Sequence, residues 1–376
     1  MGIEQLESRI APAAVFTYVD DNGHKVTIKT SKGTTTDLKS ICSINSKGHL
    51  NLINFAENGT IESEFAGTDV TITDGGHGQV NVGVIDATGI SLGSVSITGS
   101  LGAIDVGTGS GTALALLKVK AINGDSTSYP SSISGDVTTL TVNGAITGNI
   151  AVSGTIDTLT ANKVLGGSET NSGYVSAADI GTLTVKNGII GGNGTGSGTV
   201  VATGDITTAT IGELLGGGGA NSARLQATDF DTITVNHNIK GASGTASAEI
   251  YVKSGSFTKL LVKGSVLGGQ GAQAGRVIQT GTSANDGSVT IKGNLQAGSG
   301  AGGASVNLQG NLGALTILGK MDAASQTGGN YAGAVLAKTL AGSNVKVVGG
   351  LQNNAIIWVG TPAPGTPYHH VYEIPG

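Results

Sequence analysis

The sequence predicts an all-β protein, a right-handed single-stranded parallel β-helix (β-solenoid) of about 14 turns of roughly 25 residues, with three short strands per turn. One observation is an internal repeat in which a marker residue and the residue two places later are both apolar, as in a strand that buries one face. The other is that a single turn of this length cannot bury its apolar side alone, whereas stacked turns share one core. The markers are Val26, Leu50, Val70, Val95, Leu117, Leu140, Leu159, Leu183, Ala209, Ile233, Leu260, Val289, Leu315 and Val345.

The composition excludes several classes of protein. Glycine supplies 65 of the 376 residues, but without the three-residue period of collagen. Aromatic residues make up 3% of the chain and 20 basic residues stand against 25 acidic ones, so we expect no nucleic-acid partner. The aliphatic stretches are far shorter than the roughly 20 residues of a spanning helix, so we expect no membrane insertion. Met1 to Ala14 contains no basic leader followed by an apolar block, so no export signal is visible there.

Residues 1–30 are predicted to form an N-terminal cap that merges into the first turn. Ile3, Leu6 and Ile10 would share one side of a short amphipathic helix before Pro12. Two alternating segments, 15–19 and 25–29, follow on either side of Asp-Asn-Gly, a sequence that favours a hairpin turn. A cap is expected because an uncovered strand edge at the end of a β-helix pairs with other chains.

Residues 31–358 are predicted to form the solenoid body. Its longer turns place their extra residues in glycine-rich segments, and we expect these to protrude as loops, since glycine adopts positive φ at little cost. These segments are Gly191 to Gly198, Gly216 to Ala220, Gly268 to Gly275 and Gly298 to Gly303. Cys42 is the single cysteine, which excludes an internal disulfide and leaves open a buried thiol or pairing between chains.

Threonines flank the marker on both sides in five successive turns, which predicts a Thr-x-Thr binding face. Such an array resembles the ice-binding face of solenoid antifreeze proteins; the alternative is that threonine simply favours strands and stacks on itself. The face comprises Thr139, Thr141, Thr158, Thr160, Thr182, Thr184, Thr208, Thr210, Thr232 and Thr234. Its expected ligands are ice or a polysaccharide.

Four aspartates recur four residues before a marker. Asp136, Asp179, Asp205 and Asp229 would therefore stack, and a column of carboxylates is a candidate calcium site between turns. The alternative, which the residue type favours, is that each aspartate opens an Asx-type turn. The sequence predicts no other metal site and no required cofactor.

We expect no enzymatic activity. A glycan-cleaving β-helix needs neighbouring carboxylates together with basic and aromatic residues that hold the sugar. Acids on adjacent turns, such as Asp205 with Asp229 and Asp231, meet only the first requirement. Aromatic platforms are missing, because the single Trp358 lies in an aliphatic run where a core or capping role is expected. A glycan-cleaving enzyme is the weakest of the functional alternatives.

Residues 359–376 are predicted to form a proline-rich linker and a C-terminal strand. The linker is followed by an alternating segment outside the repeat, which would either fold back as a lid or add as a strand to another subunit. Donation between subunits would be head-to-tail and would produce an open filament. The residues expected to assemble in this way are Tyr368, Val371, Tyr372 and Ile374, together with Ile3, Leu6 and Ile10 at the other end.

The first 35 residues contain a family motif. Leu6-Glu7-Ser8-Arg9 and the alternating segment that begins at Phe16 resemble the start of large bacterial β-strand-repeat surface proteins, which carry a Leu-Glu-x-Arg motif near the amino end. The resemblance implies an exported protein of the cell surface or the extracellular space. It implies no catalytic residue.

Together these observations predict a non-enzymatic structural protein of the bacterial cell surface or extracellular matrix. The expected partners are copies of the same chain, joined head to tail, and cell-surface polysaccharide. The alternative is a solenoid that binds ice or polysaccharide through the Thr-x-Thr face.

Overall fold

The computed structural model describes residues 14–20, 22–56, 64–75, 80–123, 130–282, 284–324, 331–340 and 344–360. These residues contain 37 β-strands, and helical residues make up only 3% of the structure. The strands belong to parallel stacked coils, so the chain is a β-solenoid, as the repeat predicts.

The N-terminal part consists of antiparallel strands and the helix. Strands β1 and β2 form the predicted hairpin, with Gly23 in its turn at φ +80°. β3 and β4 form a second antiparallel pair. The side chain of Thr34 caps the helix by accepting a hydrogen bond from the backbone of Asp37. The elements are β1 (Ala14–Val19), β2 (Lys25–Thr30), α1 (Thr35–Ser40), β3 (Cys42–Ile44) and β4 (Leu50–Asn54).

The first coils contain long strands that bend across two faces of the solenoid. β8 pairs with both β10 and β11, and β12 pairs with β14 along its whole length, with a register shift between Val142 and Ala145. The strands are β5 (Val70–Asp74), β6 (Asn81–Thr88), β7 (Leu92–Ile97), β8 (Ser100–Gly107), β9 (Thr112–Val119), β10 (Ala121–Ile122), β11 (Ser131–Ile133), β12 (Asp136–Ile146), β13 (Asn149–Val152), β14 (Ile156–Leu165) and β15 (Tyr174–Ala177).

From Ile180 onwards the coils are regular and contain the predicted three strands each, except that the last described coil has four because β34 and β35 both pair with β31. The strands are β16 (Ile180–Val185), β17 (Ile189–Ile190), β18 (Thr199–Ala202), β19 (Ile206–Ile211), β20 (Leu214–Leu215), β21 (Arg224–Ala227), β22 (Phe230–Val235), β23 (Ile239–Lys240), β24 (Glu249–Val252), β25 (Phe257–Val262), β26 (Val266–Leu267), β27 (Arg276–Gln279), β28 (Asn285–Ile291), β29 (Leu295–Gln296), β30 (Ser305–Leu308), β31 (Asn311–Ile317), β32 (Met321–Asp322), β33 (Val335–Ala337), β34 (Thr339–Leu340), β35 (Val345–Val347), β36 (Leu351–Gln352) and β37 (Ile357–Val359).

Equivalent strands of successive coils build three parallel sheets. The first sheet contains the marker strands from β5 to β35 and the second runs from β4 to β36. The third runs from the end of β4 through the second halves of β6 and β8 to β37. The predicted markers stack one above the next, since Leu140 pairs with Leu159, and Leu159 pairs with Leu183. All three side chains are fully buried, so the core is a continuous aliphatic column.

The predicted number of turns is wrong: the structure has about 11 rather than 14. Val26 lies on β2, which pairs antiparallel with β5 and therefore starts no parallel coil. Leu50 lies on β4, which belongs to the second sheet and pairs with β6. Both residues begin an apolar i, i+2 pair because any strand buried on one face does so, whatever its direction or sheet. The marker column therefore begins at Val70.

The glycine-rich segments do not protrude as predicted but stack on one another from coil to coil. A column of five glycines shows why, because a Cβ on any member would lie 1.9–2.2 Å from the carbonyl oxygen of the coil below. Each member also donates its backbone N–H to that coil, at 2.8–3.0 Å. We call this set the glycine column, and it consists of Gly194, Gly219, Gly244, Gly271 and Gly300. Glycine is needed here for close backbone approach rather than for exposed turns.

Candidate functional site

The predicted threonine face exists as two straight ladders on the outside of the first sheet. Thr139 pairs with Thr158 and Thr141 with Thr160, and both ladders continue in register to Thr232 and Thr234. Nine of the ten side chains are half-buried and one is exposed, and their hydroxyls have no hydrogen bond to other described residues. The ladders end where Lys259 and Leu261 replace threonine. This arrangement offers water or a hydroxyl-rich ligand a flat lattice of donors and acceptors.

The predicted aspartate column tethers successive coils. The Oδ1 atoms of Asp136, Asp179 and Asp229 accept backbone N–H bonds from Thr155, Asp205 and Ser256 of the next coil, at 2.9, 2.8 and 2.6 Å. The expected Asx turn within the same coil is therefore corrected to a bond between coils. A glycine precedes each donor, and a Cβ there would lie only 1.9–2.2 Å from the carboxylate oxygen below.

The carboxylate of Asp205 lies between those of Asp179 and Asp229 on the adjacent coils. The pKa of Asp205 is raised from its usual value by partial burial and by the neighbouring carboxylates of Asp229 and Asp179. In the described ranges, no group of three or more histidine, cysteine, aspartate or glutamate side chains is arranged to hold a metal ion. Calcium binding at the column stays a prediction.

An ion cluster on the outside of the third sheet was missed in the sequence. Glu249 is 1% exposed and lies between two arginines of adjacent coils, Arg224 at 2.9 Å and Arg276 at 3.2 Å. Arg224 also donates to Gln226, and its guanidinium carbon lies 5.0 Å from the centre of the Tyr251 ring. The spacings of 25 and 27 residues equal one coil each, so the repeat itself contained the signal.

The two guanidinium groups have more donors than the cluster has acceptors. Arg224 donates to Asn221, Gln226 and Glu249, and Arg276 donates to Glu249. The Nε atoms of both arginines are buried and lack a hydrogen-bond partner among the described residues. Guanidinium groups cannot lose their charge, so the cluster keeps one net positive charge in a chain whose net charge is −5.

A cleft of about 300 Å³ opens on the same face, beyond the ion cluster. Tyr331, Leu336 and Trp358 line it together with polar groups of Asn307 and other residues. Leu336 pairs with Asn307 on one side and with Trp358 on the other, so these three side chains form one outward ladder. Trp358 therefore lies on the outer face of the last described coil, so the core role expected for it is wrong, while the alternative capping role stays a prediction.

The two ends of the solenoid differ in the described residues. At the N-terminal end, β2 covers the first sheet in antiparallel fashion and β1 covers β2. At the C-terminal end, β35, β36 and β37 pair only with the coil before them. The predicted assembly residues Ile3, Leu6 and Ile10, as well as Tyr368, Val371, Tyr372 and Ile374, lie outside the described residues.

The fold and these surfaces define the chain as a β-solenoid. Comparison with protein-family models, with curated proteins and with solved structures found no match. No helix in the described ranges is both long and apolar enough to cross a membrane.

Proposed function

We propose that the chain is a non-enzymatic structural protein, a β-solenoid rod of the bacterial cell surface or extracellular matrix that joins end to end into filaments. The observation that carries this proposal is the position of exposed apolar side chains. Within the described residues, the large exposed hydrophobic side chains are Val15 and Val19 on β1, and Leu318 and Val348 directly after β31 and β35. They therefore occur at the two ends of the rod, which favours contacts between ends.

Strand direction supports the same assembly. β1 is antiparallel to β2, and β2 is antiparallel to β5, so β1 runs in the same direction as the marker strands. The edge of β35 in one copy would therefore accept β1 of the next copy as a further parallel strand. A head-to-tail contact of this kind does not close and extends into a filament.

The body suits a load-bearing element. Its three sheets pair coil to coil over the regular region, so few backbone groups remain for water or proteases. The surface location rests on the resemblance of Leu6-Glu7-Ser8-Arg9 to the N-terminal motif of bacterial surface proteins.

Electron microscopy of the purified chain tests the assembly. We expect fibres that lengthen with protein concentration, and their loss when Val15→Lys and Val19→Lys place charges on the β1 edge. The matched control places the same two charges in the middle of the rod, as Thr182→Lys with Thr184→Lys, and should keep the fibres. Deletion of residues 361–376 separates the two modes of assembly. Fibres should remain if β1 and β35 pair directly and disappear if the C-terminal segment is donated. A chain that stays monomeric at high concentration contradicts the proposal.

The register of the threonine face favours a second candidate function, binding of ice or polysaccharide. A regular array of half-buried hydroxyls can order water molecules with little loss of side-chain freedom, since threonine has few rotamers. Thermal hysteresis should appear in the wild-type chain and disappear in the variant Thr184→Lys with Thr210→Lys. Wild-type protein without hysteresis, or an unaffected variant, removes ice from this candidate function.

A further inference from the structure

We propose that the outer face of the third sheet, from Arg224 to Trp358, is a binding strip for an anionic polysaccharide. This inference goes beyond the structural function, because it assigns a ligand to a face that filament growth does not use. The strip follows the strands β21, β24, β27, β30, β33 and β37, which pair in that order. Five coil spacings of about 4.8 Å give it a length of roughly 24 Å, enough for several sugar units.

Aromatic and aliphatic side chains give the strip its stacking surface. Tyr251 and Ile278 occupy neighbouring outward positions, and Asn307, Leu336 and Trp358 continue the same ladder. Carbohydrate rings have apolar faces that pack against flat side chains, while their hydroxyl groups need polar partners at the edge. The cleft at Trp358 provides both, since Tyr331 and Leu336 lie beside the polar Gln309 and Asn307.

The charge of the strip selects an anionic polymer. Arg224 and Arg276 are two of the three arginines in the chain, and they lie two coils apart with Glu249 between them. Both arginine side chains keep some surface that a ligand can reach, since 21% of Arg224 and 13% of Arg276 are exposed, whereas Glu249 between them is 1% exposed. Carboxylate or sulfate groups spaced along a glycan would supply acceptors, and arginine binds such oxyanions through pairs of N–H donors. At the other end, Lys338 is the charged residue among the lining residues of the cleft.

Trp358 makes the binding directly measurable, because it is the only tryptophan in the chain. Titration of the full chain with polygalacturonate should change its fluorescence in a saturable way. Dextran sulfate tests whether sulfate groups replace carboxylates, and uncharged dextran and poly-glutamate are the comparison polymers. We expect either anionic glycan to bind at least about tenfold more tightly than dextran or poly-glutamate.

A triple variant, Arg224→Gln with Glu249→Gln and Arg276→Gln, tests the role of the ion cluster. All three charges are removed together, so that no buried charge loses its partner. The affinity of this variant for polygalacturonate should fall about tenfold, the loss expected for charge-assisted hydrogen bonds. Lys259→Gln lowers the net charge by the same amount on the first sheet and should bind like the wild type. Circular dichroism of both variants checks the fold.

Three results would overturn the proposal: no binding by the wild-type chain, equal binding of dextran or poly-glutamate, or wild-type affinity in the folded triple variant. Fibre formation is read separately by electron microscopy. A chain that forms fibres without binding glycans refutes only the strip, and a chain that binds glycans without forming fibres refutes only the end-to-end assembly.

Discussion

Asp286 occupies a core position of the first sheet that apolar side chains fill in the neighbouring coils. Phe230 and Phe257 precede it in this column and Leu312 follows it. Asp286 is 3% exposed, its Oδ1 accepts the backbone N–H of Phe257 at 3.1 Å, and its Oδ2 has no partner among the described residues. Burial, opposed by that hydrogen bond and aided by the Asp229 carboxylate, raises the pKa of Asp286 to about 7.

This raised pKa predicts a loss of stability with increasing pH. Below the usual aspartate pKa of 3.8 both folded and unfolded chains carry the proton, whereas between that value and about 7 only the unfolded chain releases it. The free energy of unfolding should therefore decrease by up to about 4 kcal/mol across this range. Asp286→Asn should remove this part of the pH dependence, and the exposed control Asp231→Asn should keep it, as measured by urea unfolding at pH 4.5 and pH 8. Parallel pH profiles for the Asp286 variant and the wild type would contradict this assignment.

Burial raises the pKa of the Cys42 thiol to about 12, so its thiolate is scarce at neutral pH. The thiol reacts as the thiolate, and we therefore expect modification by an aromatic disulfide reagent at pH 8 to be about a thousandfold slower in the folded chain than in the unfolded one. This outcome also disfavours pairing of Cys42 between chains. Comparable rates in buffer and in denaturant would show that the thiol is accessible and ionised.

At the scale of elements, the glycine column sets how closely the coils approach. Gly219→Ala would place a methyl group 2.0 Å from the carbonyl oxygen of Gly194, so the two coils must separate. We expect a loss of about 1–3 kcal/mol in the free energy of unfolding, the usual cost of overpacking. The control is Glu169→Ala at the first coil of the same column, where a side chain is already accommodated. Equal unfolding midpoints for the two variants would mean that the column is not tightly packed.

The repeat predicted the regular elements well, because apolar alternation reports burial directly. It did not separate parallel coils from the antiparallel strand β2, since both bury alternate residues. From composition alone we expected the glycine-rich segments to protrude as loops, whereas in the structure they stack from coil to coil. The distinguishing signal was positional: Gly194, Gly219 and Gly244 recur at 25-residue intervals, as expected for stacking and not for free loops.

At the scale of the whole molecule, the hairpin of β1 and β2 covers the N-terminal edge of the first sheet. Ile28 on β2 is fully buried and pairs with Ile72 of the first coil. Ile28→Asp should detach the hairpin and expose the edge of β5, so irregular aggregates should replace the ordered fibres of the wild type, as seen by electron microscopy. Thr27→Asp changes the neighbouring outward residue of the same strand and should form ordered fibres like the wild type. If Ile28→Asp forms the same ordered fibres as the wild type, the hairpin neither covers the edge of β5 nor orders the contact between copies.

The candidate surfaces differ in how far the sequence could predict them. The threonine face and the aspartate column follow from fixed distances to the marker, so their alignment was predictable. To predict the Arg224–Glu249–Arg276 cluster, one must know which side chains of each strand point outward and which residues of the adjacent coil lie beside them. Those facts require the register between coils, which the structure provides.

Because the regular coils share one register, the protein can lose or gain whole coils. Thr182 and Thr208 are equivalent, as are Leu183 and Ala209, so removal of residues 183–208 would join Thr182 to Ala209 without changing the phase of any later strand. The shortened chain would keep both termini and lose one layer, about 4.8 Å. Gene duplication or deletion can therefore lengthen or shorten this architecture in single steps, while an insertion of one residue within a strand would move the core side chains of that coil to the outside.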